Sequence, residues 1–443
     1  MKNIKYLLVL ISVIIYSSLF SQKDLLQSGP MLGYSEMLEV PVWVQTTKEA
    51  EVHMEYWNIN KPDEKFLSNK INTSKNTAFT ALLIADELEP GNRYDYNIYI
   101  NDMVLNFDYK TQFQTQPIWK WRTDPPEMSF VMGSGAYINE KRYDRPGDGY
   151  GGDYHIYEAM LTKNPDFMLW LGDNVYLREP DWNSRTGIHH RYTHTRSTPE
   201  MQALLASTHN YAILDDHDFG PNDSDRGFWN KKETLNAFEI FWANPSVGVG
   251  DIKGAITSFQ WGDADFFLLD NRSYRTPNYR KSGKKTQLGE DQIQWLFDNL
   301  SYSHATYKFV VLGGQLLSTS STYESYMNYG FAEERQRIID YIQNEKIKNV
   351  VFLTGDVHFS EISVLKANNR PTIWDITSSP LNSGVNTHAD KKDNRLRVDG
   401  SVIMTRNFAE IKLSGPTTNR LLTITYYDAE GKEIWKYQLV NEK

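Results

Sequence analysis

Three apolar runs in this chain end in acids, and that recurrence constrains the fold more than any other feature. They are "PDFMLWLGD", ending at Asp173, "NYAILDDHD", carrying Asp216 and His217, and "NVVFLTGDVH", carrying Asp356 and His358. A short apolar run bounded by glycine or turn-forming residues reads as a buried strand. Open α/β sheets hold their ligands just past the carboxyl ends of such strands. Any one of these ends is ordinary turn chemistry, since Asp favours turns. Three together are hard to explain as solvated turns.

The segments between them have a helical period: "YHIYEAMLTKN", "PEMQALLAS", "LGEDQIQWLFDNL" and "FAEERQRIIDYIQNE". Strands alternating with helices predict an α/β core. Beyond residue 360 the chain is mostly strand-like and ends in "LLTITYYDAEGKEIWKYQLV", which reads as a hairpin. The expectation is therefore a layered α/β sandwich over 128–443 rather than a simple doubly wound sheet.

Residues 23–115 have a different character. Runs such as "VPVWVQT", "EVHMEYW" and "RYDYNIYI" alternate apolar and polar residues between turn signals, the pattern of a small all-β sandwich. Leu88, Pro90, Gly91 and Tyr94 fall in the order of the tyrosine corner of immunoglobulin-like and fibronectin-like domains. Residues 116–127 read as a linker. At the start, Lys2 and Lys5 precede an apolar core from Tyr6 to Tyr16, the layout of a secretory signal peptide over 1–22. The expectation is an exported, periplasmic or secreted protein with no stable membrane span after cleavage.

The chain has 443 residues, 40% of them hydrophobic, and a formal net charge of -9. That charge argues against a general nucleic-acid or anionic-membrane binder. There is no cysteine, so no disulfide stabilises the exported chain. The sequence is silent on oligomeric state.

Carboxylates and imidazoles spread over several loops suit a pair of metal ions. Two ions about 3.5–4 Å apart share a bridging carboxylate and clamp a phosphoryl group. Five motifs in order, "LGDNVY", "LDDHDFGPND", "LLDNRSYR", "LGEDQIQWL" and "TGDVHFS", extend this reading. Over Met128 to Leu413 the chain resembles the alkaline phosphatase D (PhoD-like) family of the calcineurin-like metallophosphatase superfamily. The resemblance implies an αββα metallophosphatase sandwich preceded by the β-sandwich, and hydrolysis of phosphate mono- or diesters by a metal-bound hydroxide at a dinuclear centre. It suggests iron and calcium as the metals.

By that resemblance Asp173 is the bridging carboxylate, Tyr176 a phenolate ligand suited to ferric iron, and Asp356 and His358 ligands of the last motif. The second ion's ligand is open between Asp216 and Asn222. His217 is the expected general acid or electrostatic partner of the leaving group. Arg272 is open between facing the phosphate and a structural salt bridge. His189, His190 and His194 are expected on a substrate loop, with zinc binding a minor alternative. The loops 178–198 and 318–330 are expected to differ with substrate. One departure stands out. The family commonly carries Cys in its first motif as a metal ligand, whereas this chain reads Gly133-Ser134-Gly135-Ala136. Loss of a thiolate leaves open Zn or Mn in place of iron, a lower affinity or an inactive site, with Ser134, a water or Tyr137 as substitutes. The alternative is a non-catalytic binding protein with an impaired metal site.

Overall fold

The computed structural model describes residues 25–147, 149–321 and 325–442. The expected signal peptide lies outside the described residues, as do three residues of the expected 318–330 loop.

Two six-stranded mixed sheets face each other. In the first, Met128–Gly133, Phe167–Leu171 and His209–Ile213 run parallel, and Asn407–Ser414, Leu421–Asp428 and Glu433–Val440 extend the sheet antiparallel. The last two form the expected terminal hairpin. The second sheet has the parallel strands Ala264–Leu268, Tyr307–Leu312, Val350–Thr354 and Arg370–Thr377, with the antiparallel strands Thr257–Trp261 and Glu361–Ala367 at its edges.

Both inner faces are apolar because most of these strands are buried on both sides. Phe130 stacks on Phe167 at 4.7 Å and Phe259 on Phe266 at 4.5 Å, ring geometries that add to the burial energy. Helices close the outer faces. Glu290–Tyr302 buries Ile293, Leu296, Phe297 and Leu300, a stripe at helical spacing, against the second sheet. Ile156–Leu161, Pro199–Ser207 and Lys231–Phe241 cover the first sheet. The layers are thus αββα.

The N-terminal all-β region has a three-stranded and a larger antiparallel sheet packed around Val42, Val52, Met54, Leu83 and Ile98. Tyr94 makes the corner contact, its hydroxyl accepting the Glu89 N–H at 2.7 Å. The region is anchored by Trp43, whose indole N–H donates to the Ile240 carbonyl at 2.8 Å, and by Tyr96, whose hydroxyl donates to Ala206 O at 2.7 Å. These bonds tie it to the helical layer behind the first sheet.

One buried carboxyl under the second sheet gives a pH prediction. Asp375 accepts the Leu316 and Leu317 N–H groups at 2.8 and 2.7 Å and pairs with the Thr354 hydroxyl at 2.7 Å. Burial raises its pKa to about 6, against the hydrogen bonds that favour the charged form. A group whose folded pKa is raised contributes stability below its unfolded value and loses it as pH rises through the folded one. Asp375→Asn therefore flattens the part of the melting profile that falls between about pH 4 and pH 6. A variant whose profile retains the wild-type slope there refutes this assignment.

Candidate metal centre and cleft

The three strand ends meet at one cleft of about 500 Å³, whose lining includes Asp173, Asp216, His217, Asn222, Asp356 and His358. Phe167–Leu171 is wholly buried and stops at Gly172 and Asp173, both in the left-handed region. A Cβ on Gly172 would lie 2.6 Å from the Asp215 Cβ, so only glycine lets the first two strand ends pack so closely. The turn exposes the Asn174 and Val175 N–H groups, which Asp218 accepts at 3.0 and 3.2 Å. It also directs the Asp173 carboxylate inward, where Oδ1 accepts the His217 N–H at 3.3 Å and Oδ2 the Tyr176 hydroxyl at 3.1 Å.

The second strand end becomes a single helical turn, Asp216–Phe219, held by a reciprocal capping box between Asp215 and Asp218. Asp216 accepts the Asp223 N–H at 2.6 Å. The third end follows Val350–Thr354. Asp356 and His358 both adopt positive φ, 66° and 61°, with buried Val357 between them. Backbone N–H groups fix both: Asp356 donates to Ser134 Oγ at 3.0 Å and His358 to Ser379 Oγ at 3.1 Å. His358 Nδ1 lies 2.5 Å from the Gly384 carbonyl, which sets the tautomer and leaves Nε2 with the lone pair a metal needs. Burial lowers the His358 pKa to about 4, so the ring is neutral at pH 7.

The charge balance points to cations. Burial pushes the Asp173 carboxyl well up, and Asp216, Asp215, Asp218 and Asp356 push it further. Burial acts on Asp216 the same way, but the charges of His217 and Arg272 outweigh it and hold Asp216 low. Donor atoms of Asp173, Asp216 and His217 lie within 4.8 Å of one another, and so do those of Asp215, Asp216 and Asp356. Asp216 is common to both groups, and the buried His217 Nδ1 has no hydrogen-bond partner among the described residues. Carboxylate, imidazole and phenol groups at this density fit hard or borderline cations.

The remaining expected residues divide. Tyr176 is buried, with its ring 4.3 Å from that of His217. Asn222 is exposed at the cleft edge and donates to Asp223 at 2.9 Å. Arg272 does not line the cleft. It is buried, pairs with Asp215, and donates to the Ser224 carbonyl at 3.3 Å. The guanidinium that lines the cleft is that of Arg145, which sequence reasoning missed; it stacks over Tyr150 at 4.3 Å. Of the substitutes for the absent thiol, Ser134 receives the Asp356 N–H, and Tyr137 bonds Asp144 and Arg178.

The segment expected as a substrate loop, 178–198, is instead largely the helix Arg185–Arg196, packed on the core through Ile188 and Tyr192. His190 is paired with Glu140 at 2.7 Å, and neither it nor His194 joins a metal-capable cluster among the described residues. A third acidic cluster, Glu51, His53 and Asp102 on the β-sandwich, is bridged by Lys70 at 2.7 and 3.1 Å.

Comparison with known proteins agrees with this architecture. The fold is similar to a solved structure of PhoD, with TM-score 0.76 at 18% identity over 95% of this chain and 93% of that one. It is also similar to the purple acid phosphatase PPD1 from yellow lupin (Lupinus luteus) seeds, with TM-score 0.66 at 12% identity over 93% and 74% of the two chains. In sequence it is 27% identical over 336 residues to alkaline phosphatase D of Bacillus subtilis (strain 168), covering 63% of this chain and 53% of that relative. The match thus spans about half the length of that curated relative. Residues 23–118 match a family described only as a domain of unknown function. Residues 134–414 match the model of the PhoD-like phosphatases, and the chain belongs to that family.

Proposed function

We propose that the chain is an exported, metal-dependent hydrolase of phosphate mono- or diesters with a dinuclear centre. The observation that carries this reading is the convergence of Asp173, Asp216, His217, Asp356 and His358 from three strand ends into one cleft with more buried negative charge than it neutralises. Asp173, Tyr176, Asp216, Asp356 and His358 would hold the ions, with Asn222 within reach at the edge. Bound there, the ions would supply Lewis acidity and an activated water.

The protein's own groups do the rest. Asp216 and Asp173, fixed by the Asp223 and His217 N–H groups, would set where the ions sit and, through them, the phosphoryl group. His217 faces the same cleft and serves the leaving-group oxygen as proton donor or electrostatic partner. Arg145 is placed to take a non-bridging phosphate oxygen, since a guanidinium suits phosphate geometry. The charged N-terminus and apolar core of residues 1–22 support export.

Metal content and hydrolysis of chromogenic mono- and diesters, measured on one preparation, test the proposal. Two metal equivalents with turnover support it. A folded protein that stays below one equivalent and inactive after Fe, Zn, Mn and Ca are added defeats it. Arg145→Ala is expected to lower kcat/KM roughly tenfold to a hundredfold, the worth of a charged hydrogen bond, and to weaken phosphate product inhibition in parallel. Unchanged product inhibition would remove Arg145 from the phosphate site.

A further inference from the structure

A second groove, of about 850 Å³, adjoins the metal cleft, and Tyr329 lines both. Its charge is opposite to that of the cleft. Arg280, Lys281, Lys284 and Lys285 line it, with Glu333 the single acid among the described lining residues. Glu290, just outside, lies 4.0 Å from Lys284 but is held by Arg337 at 2.5 and 2.7 Å. In a chain of formal net charge -9, such a local excess of cations attracts an anion.

The cations stand on a braced loop. Its ends are joined where the Thr276 N–H donates to the Thr286 carbonyl at 2.8 Å and the Thr286 N–H to the Thr276 hydroxyl at 3.2 Å. Across the loop the Arg280 guanidinium donates to the Lys284 carbonyl at 2.6 Å. The Lys285 ammonium donates to the carbonyls of Asn278 and Tyr329, which fastens the loop to the wall of the metal cleft. Lys281 and Lys284 are exposed. Two rings join the groove to the cleft: Tyr279, 78% exposed, meets Tyr329 edge to face at 5.6 Å. Cations that take phosphates beside an aromatic face that takes a base are the combination by which single nucleotide strands are held.

We propose that the 279–285 loop is a subsite for a second phosphate and that the substrates are nucleotide esters. The scissile phosphate sits at the metal centre, the nucleoside against Tyr279 and Tyr329, and the adjoining phosphate on Lys281 and Lys284. The inference rests on the phosphoesterase reading above and adds the substrate class. A face this local agrees with a net charge that argues against general nucleic-acid binding.

The test uses the metal-loaded chain and two chromogenic diesters that differ by one phosphate, the p-nitrophenyl ester of thymidine 5′-phosphate with and without a 3′-phosphate. The wild type should favour the 3′-phosphorylated ester in kcat/KM by roughly tenfold to a hundredfold, the worth of hydrogen bonds to a charged group. The preference should lie in KM and shrink as salt rises. Lys281→Ala combined with Lys284→Ala should abolish it. Removing two charges from the β-sandwich instead, by Lys61→Ala and Lys65→Ala, should leave it in place, which separates a subsite from the pull of overall charge. Tyr279→Ala should raise KM for both thymidine esters relative to methyl p-nitrophenyl phosphate, which carries no base. Equal kcat/KM for the two thymidine esters, or a preference that survives loss of both lysines, overturns the inference and leaves the phosphoesterase reading intact. A Tyr279→Ala protein unaltered in its comparison overturns the nucleotide assignment. A metal-loaded chain that hydrolyses none of the three esters overturns the phosphoesterase reading and this inference with it.

Discussion

Asp173→Asn is expected to abolish hydrolysis and yet to stabilise the protein when metal is absent. Asn keeps an oxygen to accept the His217 N–H, and its NH2 can donate to the Tyr176 oxygen once that hydroxyl rotates, so the turn at 172–174 keeps its shape. What it removes is a buried acid surrounded by Asp215, Asp216, Asp218 and Asp356. A native site that concentrates like charge sacrifices stability for function, and neutralising one member relieves that cost. In chelator the variant should melt above the wild type. With metal present the order should reverse. Wild type gains about 2.7 kcal/mol at a hundredfold excess of metal over its Kd, whereas the variant gains little. The metal's Lewis acidity contributes several kcal/mol to the barrier, so kcat/KM should fall by about 10³-fold or more. His358→Ala should share the loss of activity but not the gain in chelator, since burial already holds that ring neutral. If Asp173→Asn melts below wild type in chelator and still binds two equivalents, Asp173 is a structural turn residue and the centre lies elsewhere.

The parts of this site that were legible in the sequence are those where strand pattern and chemistry coincide. A fully buried strand such as Val350–Thr354 can end only at the rim of its sheet, so the acid and imidazole that follow had to be on that rim. Tyr94 was legible for a similar reason, a fixed turn between two alternating strands, and the structure shows its hydroxyl accepting the Glu89 N–H. Arg145 was not, because the described residues between 139 and 155 have no period, and they meet the cleft through a contact distant in sequence, Tyr150 OH 3.0 Å from His358 Nδ1. The helix Arg185–Arg196 was misread because its buried face includes Arg191 and Arg196 beside Ile188 and Tyr192. Arg191 is neutralised by Asp181 at 2.9 Å, and Arg196 lies over Trp242 at 3.7 Å. Neither partner lies on the helix itself, so two charges masked a helix that the tertiary structure makes amphipathic. Arg272 had two readings for the same reason. An Arg beside an acidic motif has the same sequence signature whether it meets a phosphate or a buried carboxylate.

Arg272→Met is expected to act on stability, and to a large extent. Arg272 and Asp215 are both about 1% exposed, and the pair is completed by the Asn271 amide, which donates to Asp215 at 3.0 Å. Removing one member of a buried pair leaves the other charge uncompensated, which typically costs about 3–5 kcal/mol. Here the cost should lie at the high end, because Asp215 adjoins Asp173, Asp216 and Asp218, and Arg272 is one of the charges holding Asp216 ionised. Arg272→Lys should rescue little, since an ammonium cannot bridge Asp215 and the Ser224 carbonyl in the same plane. The discriminating variant is Arg272→Met combined with Asp215→Asn. Removing the stranded charge should recover much of the loss, so the double variant melts above Arg272→Met alone. A phosphate-binding Arg predicts the opposite pattern: Arg272→Met would melt like wild type and raise KM, and Asp215→Asn would rescue nothing. Denaturant unfolding of the three variants, with KM measured on any that turn over, decides between a guanidinium that holds the site together and one that holds the substrate.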